Sequence, residues 1–297
     1  ASRRLGRSPR DLGFTFQDLG MVETLPLISA YVGADTVGMI VALGLDQEKA
    51  TTLSIDIGTN GEMVLAQGGT LLATSTAAGP AFEGAQISCG MRALPGAIVA
   101  VSISLDGSVA LQTVENEAAS GICGTGLISA LAQLLEREVV DATGRLRDAP
   151  EVIISPLRDR LFSRDGERAF ALTEDRSVYI SQKDIRTLQL AKGAVRTGID
   201  TLLSVTGLPT EGLDRLRLAG NFGAGLDARA AMRIGLVPPM DLEKVEVAGN
   251  AALRGAVMSL LSPEDNQRAD RAARSARFIE LGGRPEFQAR FMEAMLF

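Results

Sequence analysis

The chain has 297 residues, 46% of them apolar and 22% charged, the composition of a soluble globular protein of one large domain or two. A formal charge of −6 and an isoelectric point near 5.0 argue against a general binder of nucleic acid or anionic membranes. It contains no histidine, which excludes Ser-His-Asp and Cys-His catalysis and HExxH zinc sites and leaves Asp, Glu, Lys, Cys and Tyr as proton carriers.

Residues 1–26 are rich in Arg, Gly and Asp, include Pro9 and Pro26, and read as an irregular lead-in with Ser2-Arg3-Arg4-Leu5-Gly6-Arg7 as a solvated basic tail. A helix is predicted from residue 27 to about 45, its apolar side formed by Ile28, Val32, Val37, Ile40 and Val41. Residues 52–57 form a strand, Gly58-Thr59-Asn60-Gly61 turns, 62–66 return, and 71–76 follow Gly68-Gly69 as a third strand. This is an antiparallel meander.

Residues 79–96 are glycine-rich loop and short helix, and 98–105 with 109–114 make a hairpin around Asp106-Gly107. A helix runs from Gly126 to about residue 138. Residues 141–180 form a polar insertion with short strands at 152–154 and 177–180. The clearest helix opens at Ser181, with Asp184 completing a capping box, and keeps one apolar face until Gly207. Strand 216–219, a helix capped by Asp227 and ending at Gly235, strand 245–248 and a helix from Asn250 to 261 complete an α/β pattern. No apolar run approaches the roughly 18 residues of a membrane span. Low cysteine use and no secretory leader predict a reducing cytoplasm.

Four segments could carry chemistry. In Leu53-Ser54-Ile55-Asp56-Ile57-Gly58-Thr59-Asn60-Gly61-Glu62 an acid at a strand end precedes a glycine turn. Such a turn receives phosphate oxygens on backbone N–H groups, its carboxylate holding Mg²⁺ through water, or it is an ordinary tight hairpin. Leu216-Arg217-Leu218-Ala219-Gly220-Asn221-Phe222-Gly223-Ala224-Gly225 either lets a flat ring lie on the backbone or is a strand-to-helix turn needing positive φ. Gly249-Asn250-Ala251-Ala252 opens a helix with small residues, which suits close helix packing. Gly121-Ile122-Cys123-Gly124-Thr125-Gly126 lacks the buried strand that a dinucleotide fingerprint requires.

The order of these pieces resembles the second half of an actin-like ATPase, the ribonuclease-H-like fold of sugar kinases, acetate kinase, heat-shock chaperones and actin. Further segments narrow the resemblance: Ala77-Ala78-Gly79-Pro80-Ala81-Phe82-Glu83-Gly84-Ala85, Gly90-Met91-Arg92-Ala93, Asp184-Ile185-Arg186 with Leu188-Gln189-Leu190-Ala191-Lys192-Gly193, and Ile234-Gly235-Leu236-Val237-Pro238. From about residue 25 onward the chain is similar to the C-terminal ATPase region of the reductive activators of corrinoid proteins. That resemblance implies a lobe (51–297) of mixed sheet with the three-stranded meander flanked by helices, preceded by a lead-in and first connecting helix (1–50).

It also implies ATP and Mg²⁺ as ligands and a corrinoid protein as partner, restored from cob(II)alamin to cob(I)alamin by an electron from a [2Fe–2S] domain outside this chain. A homodimer is compatible with it. Gly58, Thr59, Asn60 and Gly61 would hold phosphate, with Asp56 near Mg²⁺. Gly220, Asn221 and Gly223 would pass under the adenosine, and Gln189 and Lys192 would flank its other side. Asp35 and Glu83 would order the metal's waters or the attacking water, a role that placed charge can fill without histidine.

The family's four-cysteine cluster is absent: Cys89 and Cys123 are the only cysteines and neither has a CxxC partner. Only one DxGT hairpin occurs, so the chain reads as a C-terminal fragment, weakly active or inactive alone. Two cysteines per chain also fit an activator of the 2-hydroxyacyl-CoA dehydratase type, with a [4Fe–4S] cluster shared across a dimer. A lobe that only docks a partner is the non-enzymatic alternative, and a sugar or acetate kinase would need a complete two-lobed cleft.

Overall fold

The computed structural model describes residues 4–15 and 20–297, apart from the side chains of Asn221 and Ala224. The lead-in is more ordered than its composition predicts. A ribbon pairs β1 (Gly6–Arg7) with β2 (Val22–Glu23). Arg4 belongs to no solvated tail: its guanidinium donates to Asp270 at 2.9 Å and to the Asn266 carbonyl at 2.7 Å. Ser2 and Arg3 lie outside the described residues.

Helix α1 (Ala34–Leu43) starts later than its apolar periodicity predicts. The Ser29 hydroxyl accepts the N–H groups of Tyr31 and Val32, and the Ile28 N–H donates to the Val32 carbonyl, so residues 28–32 close a turn instead. Gly33, extended, then caps the helix.

The meander follows as β3 (Thr52–Ile57), β4 (Asn60–Gln67) and β5 (Thr70–Ala77). Its first turn is tighter than four residues, because Asn60 and Gly61 already belong to β4. Next come β6 (Ala97–Ile103), β7 (Val109–Thr113) and β8 (Gly121–Ile122), a three-stranded sheet backed by α2 (Gly124–Glu136).

In the polar insertion the strand expected at 152–154 does not form. The Arg158 guanidinium takes the carbonyls of Val152 and Ile153, which a strand would offer to a neighbour, and α3 (Ser155–Arg158) follows. A hairpin of β9 (Leu161–Arg164) and β10 (Glu167–Ala171), missed by the periodicity, pairs instead with β11 (Tyr179–Ser181).

Helix α4 (Gln182–Thr206) forms as its sequence predicts. The Ser181 hydroxyl accepts the Asp184 N–H at 3.1 Å, the Asp184 carboxylate accepts the Ser181 N–H at 2.8 Å, and Gly207 ends the helix at φ +66°. The remaining elements are β12 (Arg215–Ala219), α5 (Gly220–Ala224), α6 (Ala228–Arg233), β13 (Val245–Gly249), α7 (Ala251–Leu261), α8 (Pro263–Ser275), β14 (Arg277–Phe278) and α9 (Phe287–Ala294).

The central six-stranded sheet runs β13-β12-β3-β4-β5-β14, with β12 parallel to β3 and β13 and the meander antiparallel. One face packs Leu53, Ile55 and Ile57 with Val195, Ile199 and Leu202 of α4. The other packs Val64, Ala66 and Ala73 with Met39 and Ile40 of α1. Burying a side chain of this size stabilises by roughly 1.5–3 kcal/mol, so both faces hold the sheet firmly.

Helices α1 and α7 cross at backbone contact, as their small residues predict: a Cβ on Gly255 would stand 1.9 Å from the Gly38 carbonyl oxygen. The C-terminal tips of the parallel strands β3 and β12 therefore emerge side by side on a rigid base, with Ala219 opposite Asp56. Open α/β sheets present ligand sites at such edges.

Candidate functional site

Strand β3 delivers Asp56 to the sheet edge, and Gly58 and Thr59 turn the chain into β4. The Gly58 N–H donates to the Asn60 carbonyl, and the Gly79 N–H to the Thr59 carbonyl, both at 2.8 Å, so the turn is pinned from two sides. Thr59 stands exposed and its hydroxyl donates to Glu83 Oε1 at 2.5 Å. Glu83 ends a 3-10 turn, Pro80–Glu83, that follows β5.

On the neighbouring strand, Gly220 has φ +81°, and a Cβ there would lie 2.2 Å from Asp56 Oδ1. Only glycine lets the two strand tips close up at this point.

Three carboxylates from three elements share this corner. Asp56 and Glu62 are cross-strand partners. Asp35, at the start of α1, accepts the Thr36 N–H at 2.7 Å. Burial pushes the Asp56 carboxyl up, and the Asp35 charge adds to it. Glu62 rises to about 7, first through burial and then through Asp35, while the Ser75 hydroxyl donated to it at 3.2 Å pulls the other way. Among the described residues none of Asp35, Asp56, Glu62 and Glu83 forms an ion pair, so no cation offsets the burial and crowding that raise Asp56 and Glu62.

The residues expected from the sequence divide into two groups. Asp35, Asp56, Gly58, Thr59, Glu83 and Gly220 come together, and Asn60 closes the turn through its carbonyl. Gly61 lies in β4 next to the turn, where a Cβ would lie 3.0 Å from Thr76 Oγ1 and 3.2 Å from Val195. Gly223 lies in α5, where a Cβ would stand 3.1 Å from the Leu218 carbonyl carbon. The Asn221 side chain lies outside the described residues.

Gln189 and Lys192 are buried on a face of α4 covered by residues 295–297. The Gln189 side-chain amide donates to the Thr143 and Met295 carbonyls, and the Lys192 ammonium donates to the Leu296 carbonyl. Among the described residues neither one makes a hydrogen bond or ion pair to the turn at Gly58–Thr59.

Beside the turn lies a cavity of about 780 Å³ lined by Phe82, Glu83, Arg92, Cys123, Thr125 and Phe222, among others. The Phe82 and Phe222 rings meet at 5.1 Å between centroids. Its size falls within the range of small-molecule sites. Sequence spacing does not reveal this wall, because its residues meet only through packing.

A family model described as the C-terminal domain of RACo, the ASKHA domain, matches residues 50–297. The chain belongs to this family. It is 33% identical over 285 residues to the corrinoid activation enzyme RamQ of Eubacterium limosum, covering 94% of this chain and 48% of that protein. It is 31% identical over 249 residues to the [Co(II) methylated amine-specific corrinoid protein] reductase of Methanosarcina barkeri, covering 77% and 42%. A solved structure of a reductive activator for corrinoid, iron-sulfur protein superposes with a TM-score of 0.89 at 35% identity, covering 98% of this chain and 47% of that one. The chain thus spans about half the length of the relatives it matches, and its fold is the actin-like ASKHA fold.

The ASKHA corner fits a nucleotide with its metal. Among the described residues no three Asp, Glu or Cys side chains converge closely enough to hold a metal ion by themselves. Mg²⁺ characteristically keeps several waters and binds through one or two carboxylates plus substrate phosphates, which is the arrangement Asp56 beside an open Gly-Thr turn can support.

The cysteines do not fit an iron–sulfur cluster. The Cys123 thiol is buried and donates to the Ile98 carbonyl at 3.3 Å, and the Cys89 thiol donates to the Ser177 carbonyl at 3.6 Å. Burial pushes the Cys89 thiol up, away from the thiolate a cluster needs. A dimer-bridging cluster on these two residues therefore has no support. Among the described residues no helix is long and apolar enough to cross a membrane.

Proposed function

We propose that this lobe binds and hydrolyses ATP with Mg²⁺, and that in the longer protein it powers the reduction of a corrinoid protein from the Co(II) to the Co(I) state. The electron comes from an iron–sulfur domain outside this chain. The observation carrying the nucleotide reading is the close approach of Gly220 to Asp56, which sets the phosphate turn and the strand-to-helix turn side by side at one sheet edge.

In this reading the Thr59 backbone N–H, which the Gly58–Asn60 hydrogen bond leaves at the tip of the turn, holds a phosphate oxygen. Asp56 holds Mg²⁺ through water, and the metal supplies charge neutralisation on the phosphates when bound. Glu83, fixed through Thr59, and Asp35 orient water at the phosphate end. The bare backbone at Gly220 leaves room for the nucleoside, which lies toward the Phe82–Phe222 wall. Such placement of charge is most of what phosphoryl transfer requires.

The test uses the intact protein, a chemical reductant and a corrinoid protein held as Co(II), with the corrinoid's visible spectrum followed over time. Conversion to Co(I) should depend on Mg-ATP and be accompanied by ATP hydrolysis. Equal conversion with and without nucleotide would remove the proposed role of this lobe.

A further inference from the structure

The Gly90-Met91-Arg92-Ala93 segment lies beside the phosphate turn and is held there with unusual closeness. A Cβ on Gly90 would stand 1.8 Å from the Gly84 carbonyl oxygen, one on Gly84 2.6 Å from the Met91 carbonyl oxygen, and one on Gly121 2.6 Å from Met91 Sδ. The Met91 N–H donates to the Ile122 carbonyl at 2.9 Å, and the Ile122 N–H to the Cys89 carbonyl at 2.8 Å. None of these three glycines accepts a side chain without moving backbone. The path of residues 89–92 is thereby locked between Glu83 and the start of α2.

Arg92 leaves this path one residue beyond the Met91–Gly84 contact, and Glu83 stands one residue before it. Both line the cavity of about 780 Å³, in which Arg92 supplies the one cationic side chain among the described lining residues. Its guanidinium is exposed and forms no ion pair or hydrogen bond among the described residues. By contrast, Arg145, Arg217 and Arg268 are each held by two carboxylates or more. A nucleotide would bring further negative charge to a corner that already holds Asp35, Asp56, Glu62 and Glu83. A fork of N–H donors on this locked path, lining one cavity with the Glu83 that Thr59 contacts, answers that charge bidentately.

We propose that Arg92 binds the phosphate chain of the nucleotide, an inference that rests on the nucleotide reading above. The test measures binding of Mg-ATP and of adenosine to the intact protein by calorimetry, for wild type, Arg92→Ala and Arg92→Lys. Arg92→Ala should weaken Mg-ATP by about ten- to a hundredfold and leave adenosine within about twofold, with Arg92→Lys between, because a lysine keeps the charge and loses the fork. The melting temperature without ligand should not change, since the side chain has no partner to lose.

An equal loss for both ligands would assign Arg92 to the base or to the fold and overturn the inference. So would unchanged affinity for both, while wild-type binding kept the nucleotide reading intact. Wild type that binds neither ligand would overturn the nucleotide reading and this inference with it.

Discussion

The tips of β3 and β12 and the outer face of α4 both carry polar residues that the sequence singles out, and they treat them in opposite ways. At the tips, Asp35, Asp56 and Glu62 share one corner with no cation paired to them among the described residues, and the Thr59 hydroxyl stands at the surface on Glu83. On α4, the Gln189 and Lys192 side chains are both answered. Gln189 accepts from Arg186 at 2.6 Å and donates to two carbonyls, and Lys192 lies 4.9 Å from the centre of the Phe297 ring while donating to Leu296. Burial, aided by Arg196, still pushes the Lys192 ammonium down to about 8. Unanswered charge at an open edge is a place prepared for a ligand; answered charge under a chain segment is structure.

The largest expected effect breaks the first region. Gly220→Ala puts a methyl group into left-handed backbone 2.2 Å from Asp56 Oδ1. Strain and overpacking together should cost about 2–4 kcal/mol of stability, and the displaced Asp56 should remove Mg-ATP binding to the intact protein. Thermal melts with and without nucleotide would show both. A variant that melts and binds like wild type would mean that the nucleotide does not pass over this edge.

Gln189→Ala sharpens the contrast from the other side. It strands the Met295 carbonyl and removes an acceptor from Arg186, which still holds the Thr143 carbonyl, so stability should fall by about 1–3 kcal/mol while Mg-ATP affinity stays within about twofold. A strong loss of affinity with no loss of stability would place this face of α4 at the nucleotide after all.

The meander and α4 were legible because their signals are local: alternation over six to eight residues, a Ser181–Asp184 capping box, and Gly207 where the helix must stop. Asp56, Gly58, Thr59 and Gly220 were legible for the same reason, since a strand end followed by glycine is a short-range pattern. What failed depended on distant chain. The start of α1 yields to a turn made by Ser29 and Val32, and the expected strand at 152–154 loses its carbonyls to Arg158. Which face of α4 is open depends on residues 295–297, about a hundred positions away. The Phe82–Phe222 wall joins residues 140 positions apart and leaves no periodicity to find.

The smallest effect tests whether the corner is under electrostatic tension before any ligand arrives. Burial and the neighbouring Asp35 raise Glu62 from its ordinary 4.5 to about 7. Between those values the folded protein holds a proton that the unfolded chain has released. Stability is therefore fully retained below 4.5, falls as the pH rises toward 7, and levels off above it. Solvent reaches part of this carboxyl, and screening discounts the shift to about 1–2 kcal/mol. Glu62→Gln cannot ionise, so in denaturant titrations it should exceed wild type by that amount at pH 8 and by little at pH 5. A difference that does not vary with pH would mean that Glu62 feels neither Asp35 nor its burial, and the corner would then be no more strained than the satisfied face of α4.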